Sequence, residues 1–220
     1  MTANPFLDGL KAHFTEDQIQ RLGSVRVGIA GAGGLGSNAS VHLVRSGIGR
    51  LVVADFDCVA SSNLNRQFYF IDQVGMKKVL ALEANLKRIN PDLDMQALDV
   101  RLNAANVGRV FEHCHIIVEA LDRAQDKKMM AGAFMADRRL LVSASGIGGW
   151  GCSDRIRTLR VREAFYLVGD GRSEVSGTMP PTSAVVGIAA AKQADVVVER
   201  ILIDPLDPRI LEPFHIRIPP

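Results

Sequence analysis

The sequence predicts an α/β fold, a doubly wound and mostly parallel sheet covered by helices, and three observations lead to that prediction. A strong strand over residues 26–30 runs directly into a glycine-rich loop and then a helix. Short apolar runs then alternate with helical stretches as far as residue 143, as expected for strand-helix-strand units. Beyond Gly146, residues 156–161 alternate apolar and basic side chains, which predicts an antiparallel portion at the sheet edge near the C-terminus.

The remaining elements follow from periodicity and turn residues. Apolar residues at helical spacing in 11–22 predict an amphipathic helix within a helical lead-in segment of residues 1–23. Asn90-Pro91 ends a later helix, because proline removes a backbone donor and restricts the residue before it. Helices are predicted at 37–46, 76–89, 104–111, 125–137 and 183–203, and strands at 51–54, 94–100, 116–118 and 140–143.

Two segments near the C-terminus lack a pattern typical of regular structure. Three glycines and Pro180-Pro181 predict a mobile loop over residues 169–182. Five prolines predict an extended arm over residues 204–220. We expect residues 1–220 to form a single domain, which is an ordinary size for one hydrophobic core.

Composition excludes several classes of partner. A formal net charge of +2 indicates neither a nucleic-acid-binding nor a membrane-binding surface. The first residues do not resemble a signal peptide, and no apolar stretch reaches the roughly 18 residues of a membrane span. Cys58, Cys114 and Cys152 are too few and too scattered for a disulfide framework or a four-thiolate zinc site. We therefore expect a cytoplasmic protein without membrane or nucleic-acid partners.

The glycine loop, which we define as residues 31–37, predicts a nucleotide site in a Rossmann-like sheet. Gly31, Gly33 and Gly36 have the spacing of a dinucleotide-binding turn and lie between a strand and a helix, where phosphate oxygens can approach the backbone. Asp55 ends the next strand, at the position that accepts hydrogen bonds from ribose hydroxyls in this architecture. These features alone would also permit an NAD-dependent oxidoreductase.

Three further motifs make the comparison more specific. They are Asp55-Phe56-Asp57, Ser62-Asn63-Leu64-Asn65-Arg66-Gln67 and Gly75-Met76-Lys77-Lys78. With the glycine loop, in this order, the region from about 24 to about 145 resembles the ThiF/MoeB/HesA family of adenylyltransferases that activate ubiquitin-like carrier proteins. The short chain and the motifs at 142–146 and 169–171 are most similar to the compact ThiF branch.

The resemblance implies a role for each matching residue. Arg66, Lys78 and Asp122 are the implied catalytic residues, and Asp122 is the implied magnesium ligand, although Arg123 follows it where the family usually has asparagine. The implied nucleotide-binding residues are Gly31, Gly33, Gly34, Gly36, Ser37, Asp55, Asp57, Ser62, Asn63, Arg66, Gln67, Lys78 and Asp122.

The resemblance also implies a reaction and its partners. ATP and Mg²⁺ would serve to adenylate the C-terminal glycine carboxylate of a small ThiS-like sulfur carrier ending in Gly-Gly, in thiamine biosynthesis, and the enzyme would be a homodimer. Three alternatives stay open beside this one. They are another carrier or a modified transfer RNA as substrate, the NAD-dependent oxidoreductase, and a catalytically silent nucleotide-binding partner.

Cysteine and arginine usage adds expectations. The two Cys-x-x-Cys pairs of larger relatives are absent, so no zinc is expected, and the 169–182 loop has no cysteine for a covalent link to the carrier. Cys152 is interpreted as a buried inert cysteine rather than a reactive one. Relatives lend an N-terminal arginine to the neighbouring subunit, and Arg21 fits that role poorly.

Two other groups of residues allow more than one interpretation. His113-Cys114-His115 could bind a metal, but a strand entrance is the simpler interpretation because no fourth ligand is apparent. Four arginines in and beside the predicted edge strand at 156–161 could face an acidic partner or simply be solvated, namely Arg155, Arg157, Arg160 and Arg162.

Overall fold

The computed structural model describes residues 4–136, 139–151, 153–173 and 175–203. These residues form a seven-stranded sheet with helices on both faces. The strands are β1 Arg26–Ala30, β2 Arg50–Asp55, β3 Asp94–Asp99, β4 Ile116–Glu119, β5 Leu140–Ala144, β6 Arg157–Arg162 and β7 Phe165–Gly169. The helices are α1 Pro5–Leu10, α2 Glu16–Ser24, α3 Gly34–Arg45, α4 Lys78–Lys87, α5 Val107–Val110, α6 Ala124–Phe134 and α7 Ser183–Ile203.

The strand order is β3-β2-β1-β4-β5-β7-β6. All pairs are parallel except β6 with β7, which is antiparallel and lies at one edge. From β1 the chain winds outward through β2 and β3, and it then returns to the other side of β1 at β4. In a sheet of this kind the crevice at that reversal, beyond the carboxyl ends of the strands, is where ligands bind. The predicted fold class, including its antiparallel edge, is confirmed.

Two apolar clusters hold the layers together. On one face of the sheet, Leu43 of α3, Leu82 of α4 and Val197 of α7 belong to one continuous buried cluster. On the other face, Phe111 and Met130 pack in a second cluster that involves α5 and α6. Burial on both faces explains why the central strands are almost wholly apolar. None of the described helices combines the length and apolar character that crossing a bilayer requires.

The N-terminal region differs from the single helix predicted over residues 11–22. Asn4 caps α1 by accepting hydrogen bonds from the N–H groups of Phe6 and Leu7, with Pro5 at the first helical position. Thr15 and Gln18 form a capping box that starts α2 at Glu16, so the chain between these helices is not helical. Local capping chemistry therefore outweighs the weaker apolar periodicity.

Strand β7 was not predicted, and β6 begins one residue later than expected. Side chains of β7 alternate between half-buried and buried, but the half-buried residues Phe165 and Leu167 are also apolar, so the sequence shows no alternation. Helix α3 begins at Gly34 rather than residue 37, and α5 is much shorter than predicted. Helix α7 has the predicted bounds. Residues 1–3, Cys152 and the predicted arm at 204–220 lie outside the described residues.

Candidate functional site

A cavity of about 810 Å³ opens beyond the carboxyl ends of β1, β2, β4 and β5, at the reversal of strand order. This volume lies in the range of small-molecule sites. The structure brings together ten of the predicted site residues in its wall, and these are Gly31, Gly33, Gly34, Asp55, Asp57, Asn63, Arg66, Gln67, Lys78 and Asp122. Gly36, Ser37 and Ser62 do not line it.

Gly36 and Ser37 lie at the helical end of the glycine loop and fix its backbone. A Cβ on Gly36 would lie 1.8 Å from the carbonyl oxygen of Gly31, so only glycine allows this close approach of helix to loop. The fully buried Ser37 hydroxyl donates to the carbonyl oxygen of Gly33 at 2.6 Å and accepts from the N–H of Phe68 at 3.0 Å. Both residues therefore shape the loop without facing the cavity.

The open end of α3 faces this cavity. Its N-cap is Gly33, and none of the described side chains caps the helix. The first N–H groups of a helix have no partner within it, and they carry the positive end of the helix dipole. Gly33 has open space at its Cβ position, with only the Gln67 amide nitrogen at 4.0 Å. This end of the cavity can therefore receive an anionic group.

Asp55 ties the end of β2 to the glycine loop. One carboxylate oxygen accepts from the N–H of Ala32 at 2.6 Å, and the other accepts from the N–H of Asp57 at 2.8 Å. Tyr69 holds the loop from the other side, because its hydroxyl donates to the carbonyl oxygen of Ala32 at 2.7 Å. Burial raises the pKa of Tyr69 far above its ordinary value, and the nearby Asp55 charge raises it further, so the phenol stays protonated.

Two cationic side chains lie on this side of the cavity. Lys78 is buried, and its ammonium forms an ion pair with Asp57 at 2.9 Å. The Arg66 guanidinium donates to the side-chain oxygen of Asn65 at 2.7 Å and to the carbonyl oxygen of Ser62 at 3.1 Å. A buried lysine is costly unless it is paired, so the exposed Asp57 carboxylate compensates a charge held at the cavity wall. Ser62 thus contributes through its backbone.

Gln67 places an unpaired polar atom in the wall. The residue is 8% exposed, and within the part of the chain that the structure describes its side-chain carbonyl oxygen has no hydrogen-bond partner. Nearly all buried polar atoms are paired in folded proteins, and an orphan in a cavity wall marks a group that a ligand can satisfy. Asn63 differs, because its side-chain oxygen already accepts from the N–H of Ala60 at 2.9 Å.

A family model of the ThiF family matches residues 9–201. The chain belongs to the ThiF family. Over 122 residues this ThiF-family chain is 37% identical to the SAMP-activating enzyme E1 of Haloferax volcanii, and the alignment covers 53% of the chain and 45% of that relative. The molybdopterin-synthase adenylyltransferase of Haemophilus influenzae is 30% identical over 115 residues, covering 52% and 47%. The chain therefore spans less than half the length of these curated relatives.

A solved structure has the same fold along nearly the whole chain. It is the Escherichia coli tRNA N6-threonylcarbamoyladenosine dehydratase in complex with ATP, which matches with a TM-score of 0.82 at 19% identity. The match covers 90% of the ThiF-family chain and 93% of the dehydratase chain. At this identity the likeness concerns the arrangement of the strands and helices.

Sequence reasoning missed a buried ion pair beside Asp122 in the ThiF-family chain. Glu119 is the last residue of β4 and is fully buried. Its carboxylate accepts from the N–H of Leu121 at 2.6 Å and from the Lys127 ammonium at 3.0 and 3.1 Å. The Ser143 hydroxyl also donates to it. The signal in the sequence is a glutamate that ends an apolar run, because a buried carboxylate needs a cation nearby.

Asp122 is an exposed residue of the cavity wall, just beyond this ion pair. No group of three or more His, Cys, Asp or Glu side chains among the described residues could hold a metal ion. In the His113-Cys114-His115 segment, burial raises the pKa of Cys114 to about 12, and the ring of His115 accepts from the N–H of Arg26 at 3.0 Å. Both observations favour the strand-entrance interpretation of that segment.

Proposed function

We propose that this ThiF-family chain is an ATP-dependent adenylyltransferase that activates the C-terminal glycine carboxylate of a small, ubiquitin-like sulfur carrier. One observation carries the proposal: Arg66 and the buried Lys78 line the same cavity as the uncapped end of α3. Together they supply positive charge on several sides of one space, which suits a triphosphate. A redox dinucleotide needs no such pair of cations.

Electrostatic attraction and hydrogen bonds hold the nucleotide in the cavity. The phosphates lie between the α3 end and the two cations, Arg66 and Lys78. Asp55 holds the ribose, because a carboxylate offers about four lone-pair sites and only two are used by backbone N–H groups. The unpaired oxygen of Gln67 accepts a donor from the ligand or from a water bound with it.

The reaction is an attack of one carboxylate oxygen of the carrier on the α-phosphorus of ATP. A new oxygen–phosphorus bond forms, the bond to the β-phosphate oxygen breaks, and pyrophosphate leaves with the electron pair. Negative charge grows on the departing pyrophosphate, and Arg66 and Lys78 stabilise it because they are already in position. The products are an acyl-adenylate on the carrier and pyrophosphate.

Magnesium fits this site as a companion of ATP. Mg²⁺ binds through one or two carboxylates together with substrate phosphates and water, which suits a single exposed carboxylate such as Asp122 at the cavity wall. When bound, the ion neutralises phosphate charge and orients the leaving pyrophosphate. Glu119 and Lys127 keep the backbone around Asp122 in place, since the N–H of Leu121 donates to Glu119.

The partner and setting are part of the same proposal. Two relatives are named for activating a SAMP protein and for adenylation at molybdopterin synthase, which supports a protein substrate. The motifs shared with the short ThiF branch favour a ThiS-like carrier in thiamine biosynthesis. A homodimer in the cytoplasm completes the proposal.

Pyrophosphate–ATP exchange tests this function. The purified chain with ATP, Mg²⁺ and a ThiS-like carrier ending in Gly-Gly should incorporate labelled pyrophosphate into ATP. A carrier with its terminal carboxylate converted to an amide is the matched control, and it should give no exchange. Exchange that requires a modified transfer RNA instead would replace the substrate class, and nucleotide binding without exchange on any substrate would identify a silent partner.

Nucleotide choice is tested separately by thermal melting. ATP with Mg²⁺ should raise the melting temperature more than NAD at equal concentration, because the ligand with the lower Kd stabilises the folded state more. Lys78→Met should reduce the ATP effect, whereas Lys87→Met, at an exposed position of the same helix, should not. Greater stabilisation by NAD would favour the oxidoreductase.

A further inference from the structure

Two segments far apart in the chain form one wall of the cavity. We call them the paired loops, residues 145–149 after β5 and residues 169–173, which begin with the last residue of β7. The N–H of Ser145 donates to the carbonyl oxygen of Val168 at 2.8 Å, and the N–H of Asp170 donates to that of Gly146 at 3.0 Å. These bonds continue the parallel pairing of β5 and β7 beyond the strands, so both segments have a defined path.

Glycines allow the paired loops to approach this closely. A Cβ on Gly169, whose φ is +136°, would lie 1.7 Å from the carbonyl oxygen of Ser145. A Cβ on Gly146, whose φ is +72°, would lie 2.0 Å from a carboxylate oxygen of Asp170. Any larger residue at either position would therefore push the loops apart.

Asp170 fastens the paired loops to each other and to the turn before β6. One carboxylate oxygen accepts from the N–H groups of Arg172 at 2.9 Å and Ser173 at 2.8 Å. The other forms an ion pair with Arg155 at 3.3 Å, and the Arg155 guanidinium also donates to the carbonyl oxygen of Gly148. The Ser173 hydroxyl accepts from the N–H of Gly148 at 3.1 Å and donates to the Asp170 carboxylate. One hydrogen-bonded network around Asp170 therefore connects both loops.

The wall that this network builds differs in charge from the opposite end of the cavity. The paired loops contribute five residues to the described cavity wall, and none of them is charged: Ser145, Gly146, Ile147, Gly148 and Ser173. Arg66 and Lys78 lie at the other end, with the glycine loop. The open end of α3, Arg66 and Lys78 offer donors to phosphate oxygens beside Asp55 and Asp57, which leaves the uncharged wall to a less charged ligand.

We infer that Asp170 is a positioning residue that, through Arg155, holds the paired loops as the wall against which the tail of the second substrate lies. The inference rests on the proposed function, since the second substrate is the chain end that carries the carboxylate. Gly146 and Gly148 line this wall with backbone alone, and an extended tail of glycine residues can lie against it. Displacement of this wall should weaken binding of the tail and leave ATP affinity unchanged.

The experiment compares Asp170→Ala with wild type in three measurements. Hydrogen exchange followed by mass spectrometry should accelerate in peptides covering 145–149 and 169–173, and stay unchanged in those covering 31–37. The Kd for ATP should change by less than about twofold, and the KM for the Gly-Gly carrier in pyrophosphate exchange should rise about tenfold, because the wall against which the tail lies is displaced. Asp170→Asn, which keeps an acceptor oxygen, should show a smaller rise in KM.

Control variants separate the inference from general damage. Asp154→Asn alters an exposed carboxylate next to Arg155 in sequence and should match wild type in all three measurements. Arg155→Lys should behave like a mild form of Asp170→Ala, and it serves as the second variant if Asp170→Ala melts below the assay temperature. An unchanged carrier KM, or an equal loss of ATP affinity, would overturn the inference.

Failure of the proposed function gives a different result. Wild-type protein that binds ATP but gives no exchange with any Gly-Gly carrier would overturn that function. In that case a tail peptide ending in Gly-Gly, titrated onto wild type and Asp170→Ala, decides the inference by binding alone. Weaker binding to the variant supports it, and equal binding or no binding to wild type overturns it.

Discussion

At the glycine loop, the tightest backbone approach joins Gly31 and Gly36, which are close neighbours in the chain. The paired loops instead bring Ser145 against Gly169, which is more than 20 residues later in the sequence, at the end of β7. Both contacts depend on glycine, and both shape the same cavity. The first is encoded by a local spacing pattern, because strand, turn and helix follow one another directly. The second exists only once β5 and β7 have paired.

This difference corresponds to a division of labour between the two ends of the cavity. The glycine-loop end carries cations and an open helix terminus, which suit phosphates. The paired-loop end is uncharged over its described lining residues, and its geometry depends on Asp170 and Arg155. Variants at matched positions in the two ends should therefore fail in different ways.

The largest effect is expected from Gly36→Ala. The alanine Cβ would meet the carbonyl oxygen of Gly31 at 1.8 Å, so the glycine loop must move. We expect the free energy of unfolding to fall by about 3 kcal/mol or more, and we expect ATP binding to be lost. Gly169→Ala should also destabilise the domain but leave the ATP affinity of the folded protein near that of wild type. Chemical denaturation and ATP titration measure both. Equal loss of ATP affinity in the two variants would contradict the division.

Gly132→Ala is the control for both glycine variants. Gly132 lies within α6 with open space at its Cβ position. Replacing a helical glycine by alanine where nothing clashes stabilises a helix by roughly 0.5–1 kcal/mol. A rise in stability here would show that the losses at Gly36 and Gly169 come from crowding rather than from alanine itself.

The next effect concerns catalysis at the glycine-loop end. Arg66→Ala should keep the fold and lower the pyrophosphate-exchange rate about 100-fold, because removing one preorganised donor from a developing charge costs about that much. Arg88→Ala, at an exposed position at the end of α4, is the matched control. Near-normal exchange in Arg66→Ala would remove this residue from the site.

A smaller loss is expected at the ion pair between the two ends. Lys127→Met leaves the fully buried Glu119 carboxylate with two partners among the described residues, the Ser143 hydroxyl and the N–H of Leu121. The expected cost is about 1–3 kcal/mol in the free energy of unfolding. The exposed Lys128→Met should cost almost nothing. Adding Glu119→Gln to Lys127→Met should recover part of the loss, since it removes the uncompensated charge.

The sequence predicts more at the glycine-loop end than at the other. Gly33 and Asp55 line the cavity as expected, because neighbouring strands of a parallel sheet end at the same edge. Arg66 and Lys78, whose place in the site the family resemblance implies, line it too. Ser37 does not line the cavity, since helix α3 turns its side chain into the core.

The paired-loop end was less predictable for a physical reason. Strand β7 has apolar side chains on both faces, so it shows no strand periodicity in the sequence. Without that strand, no sequence pattern connects Asp170 with Arg155 or Gly146 with Gly169. The mobility predicted for residues 169–182 stays a prediction, and in the structure residues 169–173 are tied down by Asp170.

The last prediction uses pH to test the Asp170 network. Burial raises the pKa of Asp170, but the N–H groups of Ser173 and Arg172, the Ser173 hydroxyl and the Arg155 charge outweigh it and hold the pKa below its ordinary value. In the unfolded chain an aspartate titrates near about 3.9. A pKa that is lower in the folded state contributes stability above the unfolded value, and that contribution disappears as pH falls through the folded value.

Wild type should therefore exceed Asp170→Asn in the free energy of unfolding by a constant amount between pH 7 and pH 5. The difference should shrink as pH falls below about 4, where the unfolded aspartate becomes protonated. Urea denaturation of both proteins at each pH measures it, and the subtraction cancels every other titrating group that the substitution does not touch. Asp154→Asn should show no such trend, because that carboxylate is exposed. A difference that grows toward low pH would mean that the folded state favours the protonated acid, and it would contradict an ion pair between Asp170 and Arg155.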